Sequence, residues 1–459
     1  MSGRIDLLYR FEEDVKSVKR DSRRITLEVT GWKQFSFTAA TAAHADAIQA
    51  LAGNGVTLGR FEELATGAAG PSEASKATSY YVERFSRPRL LTWDLADEDG
   101  QLLARVTSLS AGYRPRADLP PAEPLSFCRF AYLRSGPAGV VIESALTRAR
   151  VSLEPRSMGL MSQSLAQARL ASQDAFAAML WRLGFFDVLA PQEDNFRKTW
   201  EFHDLLMHES SRFNRDVPNG GTYRFRGKFP APPAIKPALA GTRIELPPVD
   251  PDAVRATSES LDAIQQRRQS VRSYAEAAIA LPTLGEFLWR IGRTKQRFST
   301  DTGQDLMDRP YPAGGAVNEL EFYVAVRRCE GLQPSFYHYD SHGHALVRLD
   351  GSERIATTII ERSASAMALN PEDQRPDLTI VVSSRLPRLA WKYEAMAYRA
   401  SLLHAGVLIQ LMYLVATDMK LAPCANGSGD SRLFEQVTGL GRFEEVSIAE
   451  FCLGLPAVL

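Results

Sequence analysis

In the stretch WKYEAMAYR, Trp391 to Arg399, a lysine and a tyrosine stand side by side at the mouth of an apolar segment. Both side chains carry exchangeable protons, and such a pair can act as a base and the group that tunes it. Apolar spacing predicts one long helix from about Leu389 to Lys420, with Lys392 and Tyr393 near its start. A cation there opposes the helix macrodipole. A position held against that cost points to proton transfer, and a surface lysine beside a core tyrosine is the plain alternative.

Four other stretches offer chemistry. RRQSVRSY, Arg267 to Tyr274, holds three arginines and two serines within eight residues at the end of a predicted helix. Forked cations and hydroxyls suit a phosphate, and a solvated helix end is the simpler reading of the cluster alone. RPYPAGGAVNELEFYVAV, Arg309 to Val326, puts Gly314 and Gly315 in a turn before a strand, where backbone can approach a flat ligand. APCANGSGD, Ala422 to Asp430, reads as a Gly-rich loop after the long helix. It lacks the Gly-Lys-Ser/Thr of a nucleotide triphosphatase, so it offers bare amides or a helix cap. HYDSHGH, His338 to His344, has three histidines, but two strand-like runs flank it. A hairpin turn outweighs a metal site there, and no metal is expected.

These residues must be positioned by a long chain. At 459 residues it exceeds one ordinary domain. Lys+Arg equals Asp+Glu at 54 each, which gives no support to nucleic-acid or membrane-surface binding. Four separated cysteines without a CxxC pair read as reduced thiols. The apolar run Leu402 to Ala416 includes His404 and Gln410 and falls short of a spanning helix. The first residues carry acids where a secretion signal needs an apolar core, so a cytoplasmic protein is expected.

Alternation predicts strands at RRITLEVTG and KQFSFTAA, a short helix at HADAIQALAG, and a polar loop from Gly70 to Ser79. More strands follow, then an amphipathic helix in Ser162 to Val188, together suggesting a winged-helix-like module. The expected division is an α/β module over 1–100, that module over 101–193, an extended Pro-rich linker over 194–251, and an α+β domain over 252–459. In the last, helices are expected at SESLDAIQQRR and TLGEFLWRIG, and strands at LEFYVAVRR, SFYHYD, HALVRL and DLTIVVSSR.

Taken in order, FHDLLMHESSR, GGTYRF, RRQSVRSY, LGEFLW, PYPAGGAVNELEFY, SFYHYD, KYEAMAYRASLLHAGVLIQ, LAPCANGSGD and EFCLG resemble the SagB-type FMN-dependent azoline dehydrogenases of the nitroreductase superfamily. The resemblance covers roughly Asp194 to the C-terminus, and no single stretch is specific. It implies an α+β nitroreductase-like FMN domain behind N-terminal peptide- or partner-binding modules, and a homodimer with FMN between subunits. Arg268, Ser270 and Arg272 fall on the motif that holds the phosphate and ribityl chain. Pro312, Ala313, Gly314, Gly315 and Asn318 fall on the turn usually supplied by the partner subunit. Cys424, Ala425 and Gly427 fall where amides meet the flavin edge, and Lys392 and Tyr393 match the catalytic pair.

The implied reaction oxidises a peptide thiazoline or oxazoline to the azole, with a precursor peptide and a cyclodehydratase as partners. Asn426 and Asn318 depart from the family pattern, and the C-terminus lacks the basic phosphate ligands of ordinary nitroreductases. A related flavoenzyme using NAD(P)H on nitro or quinone substrates, or acting on a carrier-bound azoline, is the alternative; a flavin-free scaffold is a third.

Overall fold

Two mostly apolar strand runs, LEFYVAV and LTIVVSS, are buried at every residue because helices cover both faces of their sheet. The computed structural model describes residues 4–31, 34–66, 71–136, 139–166, 174–188, 194–213, 218–368 and 375–457. The chain divides into two units, 1–217 and 218–459.

In the second unit the sheet strands are β1 (Thr242–Glu245), β2 (Leu320–Val326), β3 (Ser335–Asp340), β4 (Ala345–Leu349), β5 (Leu378–Ser384), β6 (Ala422–Asn426) and β7 (Val446–Gly454). They form one antiparallel sheet in the order β1-β4-β3-β2-β5-β7-β6. The principal helices are α1 (Pro251–Thr257), α2 (Leu261–Arg267), α3 (Leu281–Gly292), α4 (Glu353–Ala366), α5 (Leu386–Lys392), α6 (Ala397–Asp418) and α7 (Ser431–Thr438). Strand alternation sorts β2 between two cores. Leu320, Phe322 and Val324 pack with Phe287 of α3 and Leu408 and Met412 of α6. Tyr323 and Ala325 pack with Ile359 and Ile360 of α4 and Phe434 of α7. The expected β3–β4 hairpin forms, and Asp340 accepts from the His342 and Gly343 amides at its turn.

The Pro-rich segment is not a free tether. From residue 218 it belongs to the second unit, because proline carbonyls lack an N–H of their own beside them and serve buried arginines as acceptors. Arg388 Nη1 donates to Pro232 O at 2.8 Å and Arg385 Nη2 to Pro233 O at 2.9 Å. Lys236 pairs with the buried Glu445, and β1 closes one edge of the sheet.

The first unit also departs from the expected division. Its six-stranded antiparallel sheet runs Ile5–Phe11, Leu91–Asp97, Leu102–Ser108, Ala149–Leu153, Gly139–Ser144, Ala131–Gly136. The expected boundary near residue 100 therefore falls in a hairpin, and 101–193 does not stand apart as a winged-helix-like module. The expected loop at Gly70–Ser79 is helix from Pro71 to Ser86: Ala74, Thr78, Tyr81 and Phe85 make a buried stripe, which short polar residues between them obscured. Within Ser162–Val188, a helix over Met158–Ala166 and another over Ala175–Arg182 are seen; the stretch between lies outside the described residues.

Charge is buried in the second unit. The carboxylate of Glu321 on β2 lies 3.6 Å from His338 Nε2, 3.4 Å from Arg385 and 3.9 Å from Arg309. Burial pushes this carboxyl up, but His338, Arg309 and Arg385 outweigh it and hold it at about 2. A depressed carboxylate stabilises the fold above its unfolded value and stops doing so as pH falls through the folded one. Stability of the second unit should therefore decline between pH 4.5 and about 2 in part through this group. Glu321→Gln should flatten that stretch of the urea-midpoint-versus-pH curve and cost about 3 kcal/mol near neutrality, since it strands buried cations. An unchanged slope would show that Glu321 does not titrate with folding.

Candidate functional site

The long helix expected from Leu389 to Lys420 is interrupted. α5 ends at Lys392, Tyr393 turns extended (φ −104°, ψ 133°), and α6 begins at Ala397. No proline or glycine marks the break. It is set by the segment 218–240, a strap along the second unit: Gly220 and Glu394 exchange both backbone hydrogen bonds (3.1 and 2.9 Å), and Tyr223 N–H donates to Lys392 O. Lys392 thus stands at the C-terminal end of a helix, where the dipole favours a cation. This reverses the electrostatic argument made from sequence.

Lys392 Nζ lies 3.4 Å from the carbonyl of Gly315, and 5.4 and 5.6 Å from the ring centres of Tyr393 and Tyr223. Gly315 adopts φ +58°, and a Cβ there would fall 2.1 Å from Nζ and 2.8 Å from the Tyr393 hydroxyl oxygen. Only glycine fits that place. Pro312 and Gly315 are exposed, Ala313 and Gly314 half-buried, so the turn presents backbone toward solvent beside the pair. Asn318 does not join that surface. It is buried in a left-handed conformation (φ +48°), and its amide donates to Met307 O, so it shapes the turn from behind.

A second group of residues forms elsewhere in the same unit. Arg268 follows α2 and lies 5.4 Å above the ring of Tyr413. The Tyr413 hydroxyl lies 2.8 Å from Ser270 Oγ and accepts from Ala425 N–H at 2.8 Å, while Val271 N–H donates to Pro423 O. Arg267 is paired with Glu259, but Arg268 and Arg272 have no ion-pair partner among the described residues. Cys424 and Ala425 belong to β6, an edge strand and not the loop expected there. Burial raises the Cys424 thiol against the pull of Arg272, which keeps it protonated. Gly427 lies beyond the strand with open space where a side chain would point. The unexpected Asn426 turns inward, to Glu450 Oε2 and Ser428 O.

The segments singled out from the sequence fall into these two groups; His404, Glu319, Tyr223 and Tyr413, which stand beside them, were not singled out. A histidine inside an apolar helix was the available signal for His404; it served only to argue against a membrane span. By length and composition α6 is apolar enough to cross a membrane, yet half of that stretch is buried in the protein. His404 and Tyr413 are nine residues apart on α6, about 14 Å along the axis and on opposite faces. The lysine–tyrosine group and the arginine group therefore do not meet within one chain.

Residues 265–454 match the nitroreductase family, and residues 125–217 match the cyanobactin oxidase ThcOx family. No curated protein matches the chain. Among solved structures, a putative nitroreductase from Ralstonia eutropha JMP134 is similar at 20% identity, over 50% of this chain and 100% of that one (TM-score 0.36). A putative nitroreductase from Anabaena variabilis ATCC 29413 is similar at 21% identity over 54% and 45% (TM-score 0.38). A chain of the E. coli microcin synthetase McbBCD complex with truncated pro-MccB17 is similar at 17% identity over 49% and 77% (TM-score 0.35). The chain thus carries a nitroreductase-family domain over residues 265–454, with a segment that matches the cyanobactin oxidase ThcOx family before it.

Proposed function

We propose that this oxidoreductase is an FMN-dependent dehydrogenase that converts thiazolines or oxazolines in a peptide to thiazoles or oxazoles. The observation that carries the reading is the adjacency of Lys392 and Tyr393 to the bare backbone of Gly314 and Gly315. It gives a flat ring a surface to lie against, with two proton carriers at its edge. The cyanobactin-oxidase segment supports heterocycles as the substrate class.

The residues present fit FMN. Arg268 and Arg272 are cations with no carboxylate partner among the described residues, suited to a phosphate, with Ser270 beside them. Gly427, exposed beyond β6, leaves uncovered backbone where a ring edge could pass. Bound there, FMN supplies hydride acceptance, and the chain supplies orientation and a proton acceptor. Lys392 or Tyr393 takes the proton from the ring's α-carbon, and the other holds the first in position.

The reading includes a homodimer. α6 leaves Leu403 and Val407 exposed, with Gly406 and Gln410 on the same side, a partly apolar face on an otherwise packed helix. A second copy covering that face would also allow the arginine group of one chain to work with the lysine–tyrosine group of the other. In the same reading the partners are a precursor peptide and an ATP-dependent cyclodehydratase. The first unit supports peptide docking. A cavity of about 280 Å³ there is lined by Arg114, Arg116, Arg148 and Arg182, none with an ion-pair partner among the described residues. Such a cavity suits carboxylates of an acidic peptide segment.

Three outcomes follow. Incubated with an azoline peptide, the purified protein should remove two hydrogens per ring by mass spectrometry. Lys392→Ala and Tyr393→Phe should slow this by about 10²–10⁴-fold without loss of the flavin absorbance. Rapid NAD(P)H oxidation with no azoline conversion would overturn the reading. Arg268→Ala with Arg272→Ala should yield a colourless protein that regains little FMN on reconstitution. In the intact chain, Arg114→Glu with Arg148→Glu should weaken binding of an acidic precursor peptide, followed by fluorescence anisotropy, and leave FMN in place. Equal affinity would remove the cavity from the account.

A further inference from the structure

The imidazole of His404 is held between two groups that fix its chemistry. Gly314 N–H donates to Nε2 at 2.8 Å, and Nδ1 lies 2.9 and 3.2 Å from the two oxygens of Glu319. A backbone N–H can only donate, so Nε2 is the lone-pair nitrogen and Nδ1 carries the proton given to Glu319. Glu319 is wholly buried, and His404 is the only hydrogen-bond partner of its carboxylate among the described residues.

A buried carboxylate–imidazole pair is generally no more stabilising than an apolar pair of the same size. Its geometry suggests another use. Gly314 precedes Gly315, whose carbonyl lies 3.4 Å from Lys392 Nζ. A methyl group on Gly314 would come within 3.3 Å of His404 Nε2 and 3.6 Å of the Tyr393 ring. The line of contact runs from Glu319 through His404 and the Gly314 amide to the Gly315 carbonyl and the amine of Lys392. The two ends of this line lie on separate segments: β2 follows Glu319, and Lys392 closes α5.

We propose that His404 and Glu319 are positioning residues: Glu319 locks the imidazole in one tautomer, His404 anchors the Gly314 amide, and the anchored turn fixes where the Lys392 amine points. Only the importance of Lys392 to turnover rests on the function proposed above; the anchoring of the turn does not.

Two substitutions separate anchoring from mere filling. His404→Gln can place its amide oxygen near the former Nε2 and still accept from Gly314, while losing Glu319. His404→Asn can reach Glu319 but not Gly314. In the full-length flavin-loaded protein, His404→Asn should speed hydrogen exchange at the Gly314 amide and change the acylation rate of Lys392. It should also lower kcat by about 10- to 100-fold, with KM for the azoline peptide moving less than about three-fold. His404→Gln should keep the slow exchange and stay within about five-fold of the parent kcat. Equal losses in both variants, or fast Gly314 exchange in the Gln variant, would overturn the inference, and the second result decides even if the Asn variant fails to fold. Unchanged exchange in His404→Asn would do the same. If the parent protein oxidises no azoline, the proposed function fails, while the exchange and acylation readouts still judge the positioning role.

Discussion

The pair of backbone hydrogen bonds between Gly220 and Glu394 is the contact from which the rest of the site follows. Residues 393–396 leave the helix at a half-buried place, Tyr393, Glu394 and Met396 being partly covered, and their amide and carbonyl groups take partners there. The strap that provides them also brings Tyr223 to one side of Lys392 and seats Trp391, whose indole N–H donates to Phe229 O. The break stops α5 with its C-terminal carbonyl end behind a lysine, a favourable place for a positive charge. The segment most easily taken for a linker is therefore part of the wall of the site.

Helix α6 serves two faces at once. Leu408, Met412 and Tyr413 are buried among the core residues of the sheet, while Leu403 and Val407 stand in solvent. The same geometry separates His404 from Tyr413 by about half a turn in azimuth and about two and a half turns in height. Each end of the helix thus supports a different group of polar residues. This is the physical ground for the proposed pairing of two chains, since neither group alone offers both an anion cradle and proton carriers.

Much of this was legible in the sequence. The mostly apolar runs of β2 and β5, the β3–β4 hairpin and the amphipathic α3 each obey a local period or turn rule. What escaped depended on distant partners. The break after Lys392 has no local signal, because a bridge to Gly220 makes it. Asn426 looked misplaced in its Gly-rich stretch until Glu450, on the neighbouring strand β7, supplied its partner. The proline segment reads as a linker from its composition, and its carbonyls find their use only beside Arg385 and Arg388. The stripe of Ala74, Thr78, Tyr81 and Phe85 was diluted by serines and by a threonine that bonds its own helix, Thr78 Oγ1 to Ala74 O.

Arg388 shows how such distant partners are gathered. It lies one turn before Lys392 on α5 and is fully buried, with no carboxylate in direct contact among the described residues. Its guanidinium donates to Val317 O, Pro232 O and Asp305 O, at 2.6 to 3.1 Å. Burial, with Arg385 beside it, pulls this group down to about 10, which leaves it charged at neutral pH. Three carbonyls from three segments therefore converge on one cation: the strap, the approach to the glycine turn, and the turn's own exit. A lysine could not replace it, because a single ammonium lacks the planar spread of donors that reaches all three. A charge buried in this way is weak evidence for stability. Its value lies in geometry, since it fixes α5, and with it Lys392, against the backbone that the lysine faces.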